Sequence, residues 1–162
     1  MKPPIEPPMK QIDRADVDRY MNAAQSAMFQ YQLIEEGLKS CISMAHQIIR
    51  SGIPVELTFD YRDTEFESMP LERLLNVFGR LTKNKALVKQ LNGLRESRNY
   101  VAHKAFALAF FSSVNENVNF QEEFKTVVAA QEESIKGFFA LKEELDRMLA
   151  LKNRIVPPAN VA

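Results

Sequence analysis

The strongest constraint on this chain is one apolar stripe that runs unbroken through its first third. From about Asp16 to Arg50 the residues Met21, Ala24, Met28, Tyr31, Ile34, Leu38, Ile42, Ala45 and Ile49 recur at steps of three and four, the period that puts side chains on one face of an α-helix. Ser51-Gly52 and Pro54 end the pattern. A helix of this length cannot bury its apolar face alone, so it needs partner helices. The chain has 162 residues, enough for one substantial core and too few for two ordinary domains. The expected fold is therefore all-α: an antiparallel bundle of about four helices, two long and flanking, one short, and one central to function. Residues 16–152 form this domain, between a Pro-rich flexible arm at 1–15 and a flexible tail at 153–162.

The rest of the chain supplies the partners. Val55, Leu57, Phe59 and Tyr61 alternate with polar residues and read as extended, a lone strand that must lie over the bundle as an ordered loop or pair with another copy. Asp60, Asp63, Glu65 and Glu67 make this loop acidic, and solvation suits it better than metal binding because nothing fixes those groups in one geometry. Ser68 can cap a short helix with Pro70 in its first turn and Leu71, Leu74, Leu75 and Phe78 inward. A third helix starts from Thr82 or Asn84 and runs to about Ser112. Its inward positions are Leu87, Leu91, Leu94, Tyr100 or Val101, and Leu108, with Gly93 as the place for a kink. Residues 105–111 are apolar on every face and must be covered from several sides, by this chain or by a second copy. After a polar turn, Asn119 and Glu122 form a capping box for a last helix. Its stripe is Phe124, Val127, Val128, Gln131, Ile135, Phe138, Leu145 and Leu149.

Several function classes are excluded or weakened. No stretch approaches the ~20 apolar residues of a membrane span, and the N-terminus has no apolar run of a signal peptide, so a soluble, cytoplasmic protein is expected. Two histidines and one cysteine leave a zinc site short of its usual ligands, and no metal or cofactor is expected. Lys plus Arg equals Asp plus Glu, 21 each, so any attraction to nucleic acid must be local. Arg80, Lys83, Lys85, Lys89, Arg95, Arg98 and Lys104 provide it, in a stretch with Glu96 as its one carboxylate.

Within that basic stretch stands Arg98-Asn99-Tyr100-Val101-Ala102-His103. On a regular helix Asn99 and His103 share a face one turn apart, and the long Arg98 side chain projects from the adjoining sector. An imidazole can move protons near neutral pH, a guanidinium fork matches phosphate oxygens, and an amide can orient either. Attack of an RNA 2′-hydroxyl on its own phosphate needs these groups and no metal. Arg95, Lys104, Lys89 and Lys85 are the candidate RNA-binding residues around them. Among other groups, Glu35 and Glu36 can pair with a basic residue of the third helix or stand solvated. His46 reads as a packed histidine that could approach His103 across the bundle, and Cys41 as an inert buried thiol.

The segment resembles the motif of HEPN domains, in which an arginine and a polar residue precede a histidine by a short spacer; Arg98, Asn99 and His103 match its four-residue-spacer form. The likeness implies a helical dimer whose two motifs face a shared cleft. It also implies metal-independent endoribonuclease activity, as in toxin–antitoxin, antiviral or RNA-processing systems, with an antitoxin protein as a further partner. The same residues are similar to an Arg-Asn-x-x-Ala-His sequence of the mannitol operon repressor family. That likeness implies instead a non-catalytic helical dimer acting as a transcriptional regulator or adaptor.

Overall fold

A computed structural model describes residues 13–62, 64–111 and 120–155. Residues 1–12 of the expected arm, Asp63, the polar turn with its Asn119 cap, and residues 156–162 of the expected tail lie outside them, whereas residues 13–15 and 153–155 belong to the ends of the two long helices. The described residues form an all-α bundle. Helix α1 spans Arg14–Ser51, α2 is the single turn Thr64–Glu67, α3 spans Leu71–Leu81, α4 spans Lys85–Tyr100, α5 spans Phe106–Phe111 and α6 spans Phe120–Ile155. A π turn, Val101–Ala105, joins α4 to α5.

Local chemistry sets the ends. Asp13 caps α1 by accepting from the Ala15 amide at 3.2 Å, and Gly52 closes it with its amide on the Arg50 and Ile49 carbonyls. Helix α3 has Pro70 as its N-cap, where Ser68 was expected, and no side chain caps it. The buried side is as read, however: Leu71, Leu74, Leu75 and Phe78 are all in the core, each worth about 1.5–3 kcal/mol on burial. Asn84 caps α4, its Oδ1 accepting from the Leu87 amide at 3.1 Å.

Helices α1 and α6 form the main packing layer. Tyr20 packs on Phe120 and Phe124, the Gln131 amide donates to Ser26 at 3.0 Å, and Gly37 meets Leu141. These pairs ascend together, so the two long helices run parallel. Helix α4 runs against both, with Tyr100 near the start of α6 and Asn84 beside Glu144 further along it. It thereby returns the chain to the end of the bundle where α6 begins.

The inner faces differ in detail from the size-ranked stripes. On α1 the buried residues include Tyr20, Ala27 and Cys41, while Ile49 is exposed. On α6 they are Phe120, Val127, Ala130, Ser134, Gly137, Leu141, Glu144 and Met148, a face turned by one residue from the expected Ile135, Phe138, Leu145 and Leu149. Small residues face inward because the helices come close: a Cβ on Gly137 would stand 2.6 Å from Leu94 Cδ1. Cys41 is fully buried, and burial, with the nearby Glu144 charge, pushes its thiol up to about 12, so it is inert at neutral pH.

No strand occurs among the described residues. The 52–62 segment is a loop whose outer half is free, with Val55 95% and Leu57 65% exposed. Its inner half lies on the bundle: Phe59 and Tyr61, with Phe66 of α2, surround the His46 ring at centroid distances of 5.7, 4.5 and 5.5 Å. His46 thus anchors the loop to the end of α1.

Candidate functional site

The motif lies along the outer side of α4 and the π turn. Leu87, Leu91, Leu94, Val101 and Ala105 face the core, which turns Arg95, Asn99, His103 and Lys104 toward solvent. Ser97 fixes the helix against α1: the Tyr31 hydroxyl donates to its Oγ at 3.0 Å and lies 3.4 Å from the Ala130 carbonyl of α6. Further on, the Tyr100 hydroxyl donates to Glu123 of α6. Burial first, then that hydrogen bond, raises the Tyr100 hydroxyl above its ordinary value, so the phenol holds its proton and serves as a strut.

Arg98 is the central cation. Its Nη1 stands 3.5 Å from Asn99 Oδ1 and its Nη2 3.5 Å from Glu35 Oε1 of α1. The Nε is buried and without a hydrogen-bond partner among the described residues. Arg98 and Asn99 line a cleft of about 150 Å³ with Pro70, Leu71, Glu72 and Arg95. A neighbouring hollow of about 430 Å³ is lined by Asn92, Gly93, Arg95, Glu96 and Asn99. Asn99 and Arg95 thus belong to both.

His103 is exposed, as solvent access by a phosphodiester requires, and lines neither hollow. Its position reflects the π turn, which sequence reading did not foresee. In a regular helix each residue advances by about 100°, which would set His103 beyond Asn99 from Arg98. A π turn closes i to i+5 and advances less per residue, so the angular spacing of His103 from Arg98 and Asn99 differs from that of a regular helix. Gly93, the expected kink, lies inside an unbroken α4 instead.

The surrounding cations differ in availability. Arg95 is ion-paired with Glu72 at 2.7 Å. Lys85 is turned back on the end of α3, donating to the Gly79 and Thr82 carbonyls at 2.6 and 3.0 Å. Lys89 and Lys104 are exposed. Glu35 takes the partner that sequence left open, Arg98, whereas Glu36 pairs with Lys39 within α1 at 2.6 Å. Among the described residues no group of three or more His, Cys, Asp or Glu is placed to hold a metal ion, and no helix is long and apolar enough to cross a membrane.

One polar cluster was not anticipated. Glu144 of α6 is buried and takes hydrogen bonds from Thr82 Oγ1 at 2.9 Å, Asn84 Nδ2 at 3.1 Å, and Arg147 at 3.0 and 2.6 Å. It ties α6 to the α3–α4 turn, and Asn84 caps α4 while holding it. No profile of a known protein family matches the chain, and no characterised protein or solved structure does.

Proposed function

We infer that the chain is a HEPN-like, metal-independent endoribonuclease acting in the cytoplasm, in the role of a toxin held in check by an antitoxin protein. The observation that carries this reading is that three complementary groups stand within six residues at the join of α4 and the π turn, two of them lining a cleft. An amide and a guanidinium stand at a cleft near the end of α4, and an exposed imidazole follows on the π turn, an element frequent at functional sites. In the reaction His103 takes the proton of the RNA 2′-hydroxyl and the 2′-oxygen attacks the adjacent phosphorus. The bond to the 5′-oxygen breaks, and that oxygen leaves with a proton. Arg98 neutralises the charge that builds on the phosphate oxygens, and Asn99 orients the phosphate. A homodimer would supply the second proton carrier as the partner copy's imidazole, and exposed phenyl rings such as Phe29 and Phe139, each 57% exposed, are the kind of surface such association buries. Lys104, Lys89 and, once released from Glu72, Arg95 steer the strand; Lys85 has less freedom to contribute.

The test is direct. Purified protein is expected to cleave RNA with chelator present, leaving 2′,3′-cyclic phosphate and 5′-hydroxyl ends, and His103→Ala to lower the rate at least ~10²-fold. Overexpression is expected to be toxic, with relief by Arg98→Ala or His103→Ala and none by Lys152→Ala. Full activity of His103→Ala would remove the imidazole from the mechanism. The second reading, a non-catalytic regulator or adaptor, is favoured by the Arg98–Glu35 pair, since a guanidinium that only positions helices needs no other ligand. A homogeneous dimer without cleavage and without toxicity supports that reading.

A further inference from the structure

The geometry points to Glu35 as the surrogate ligand of the phosphate site, a carboxylate that holds the Arg98 fork at the cleft until a phosphodiester displaces it. This rests on the nucleolytic reading only for the identity of the phosphate as that of RNA. The ion pairs of the two arginines that line the cleft are unlike. Arg95 and Glu72 meet at 2.7 Å, a tight charge-assisted contact, whereas Arg98 and Glu35 meet at 3.5 Å through one nitrogen and one oxygen, at the outer limit of a hydrogen bond. Arg98 thus has a loose single contact to Glu35, an equally long one to the Asn99 carbonyl oxygen, and a buried Nε with nothing to donate to among the described residues. A guanidinium offers five donors in a plane and favours bidentate acceptors.

Here the fork is charge-compensated but short of acceptors. The two non-bridging oxygens of a phosphodiester supply what Glu35 does not. Both side chains are partly shielded, Arg98 32% and Glu35 23% exposed, so the charge pairing is screened less than at an open surface. Glu35 comes from α1 and Arg98 from α4, so the contact joins the cleft arginine to the longest of the described helices.

The test uses the full-length protein and a labelled single-stranded RNA whose 2′-hydroxyls are methylated, so that it binds without being cut. Glu35→Gln keeps the shape and removes the charge. It is expected to bind at least ~10-fold tighter than the parent at low salt, where charge effects are largest, because the phosphate no longer has a carboxylate to displace from Arg98. The gain should vanish in the Arg98→Ala background. Asp146→Asn removes an equal charge from its pair with Lys142 and should give no such gain. Unchanged or weaker binding by Glu35→Gln, with melting like the parent's, overturns the inference, as does a gain that survives Arg98→Ala. Should Glu35→Gln not fold, Glu35→Asp, which withdraws the carboxylate by one methylene, is expected to give a smaller gain with the same Arg98 dependence, and no gain there overturns the inference. A parent protein that cuts no RNA, together with an Arg98-dependent gain, sinks the nuclease reading and leaves Glu35 in its role. A parent that cuts RNA with no gain does the reverse.

Discussion

Glu144 carries a charge into the core, and its surroundings explain how. Burial pushes its carboxyl up, but the hydrogen bonds from Arg147, Asn84 and Thr82 together outweigh that, and the group stands below its ordinary value of 4.5. A carboxyl depressed in the folded state stabilises the fold above its unfolded value, and the benefit is lost as pH falls through the folded one. Glu144→Ala is expected to cost about 2 kcal/mol or more at pH 7, because it strips Thr82 and Asn84 of a charged acceptor. Near pH 3 the difference from the parent should shrink, as urea unfolding at the two pH values would show; an equal cost at both would remove the charge from the account. None of this was legible in the sequence, because Thr82 and Asn84 lie far from Glu144 in the chain, and a ranking by hydrophobicity turns Leu145 inward in its place. Arg98, Asn99 and His103 were legible as neighbours in the chain because they are local, and the structure places Arg98 and Asn99 at one cleft with His103 exposed on the turn beyond it. The Arg98 partner was visible as one option among several, since sequence places Glu35 on a helix without fixing which neighbour that helix meets.

At the scale of elements, the long helices and the inward side of α3 follow from periodicity alone, but two features escaped it for physical reasons. A π turn has no residue signature of its own, so Val101–Ala105 reads as ordinary helix until its hydrogen bonds are seen. Deleting Ala102 removes the extra residue and lets the helix close in α register. The variant, which also shortens the spacer between Arg98 and the imidazole by one residue, is expected to melt at or above the parent temperature yet to lose RNA cleavage, and retained cleavage would show that neither the wide turn nor the four-residue spacer is needed. The second feature is the rotated face of α6, where the small Ser134 and Gly137 lie inward and Phe139 outward. Size-ranked stripes miss this because close helix approach selects small residues at the contact. Two glycine substitutions separate these effects. At Gly93 an added Cβ meets nothing within 4 Å, so Gly93→Ala is expected to gain about 0.5–1 kcal/mol from helix propensity. At Gly137 the same methyl meets Leu94 at 2.6 Å, with Leu91 at 3.4 Å and Ile34 at 3.6 Å behind it. Leu94 is itself buried and has little room to turn, so overpacking of about 1–3 kcal/mol outweighs the same propensity gain. Denaturant midpoints should therefore move in opposite directions.

For the molecule as a whole the balance of charge decides how RNA must be met. With 21 cationic and 21 anionic side chains there is no net field to gather a polyanion, and association depends on a few cations along α4 and the π turn. The sequence presents seven of these in one stretch, but folding commits several: Lys85 to helix-end carbonyls, Arg95 to Glu72 and Arg98 to Glu35. Composition shows which charges exist, and only tertiary structure shows which are already spent on the fold. Arg80 and Lys83 are exposed too, but stand at the α3–α4 turn, at the other end of α4 from His103; the groups left to meet phosphates nearer the motif are Lys89, Lys104 and whichever arginines the strand can win from their carboxylates, about three contacts in all. At a slope of about −0.7 per contact for single strands, the logarithm of the binding constant should fall with the logarithm of salt at about −2. Between 50 and 200 mM salt that is a loss of roughly twentyfold, readable by fluorescence anisotropy with the methylated strand. A slope near −5 would require the full basic stretch to act together, which the pairing of Arg95 and Arg98 and the fixed Lys85 oppose. A slope near zero would mean that no phosphate is held at all, and the cleft beside Arg98 would then have to be read as a contact for protein.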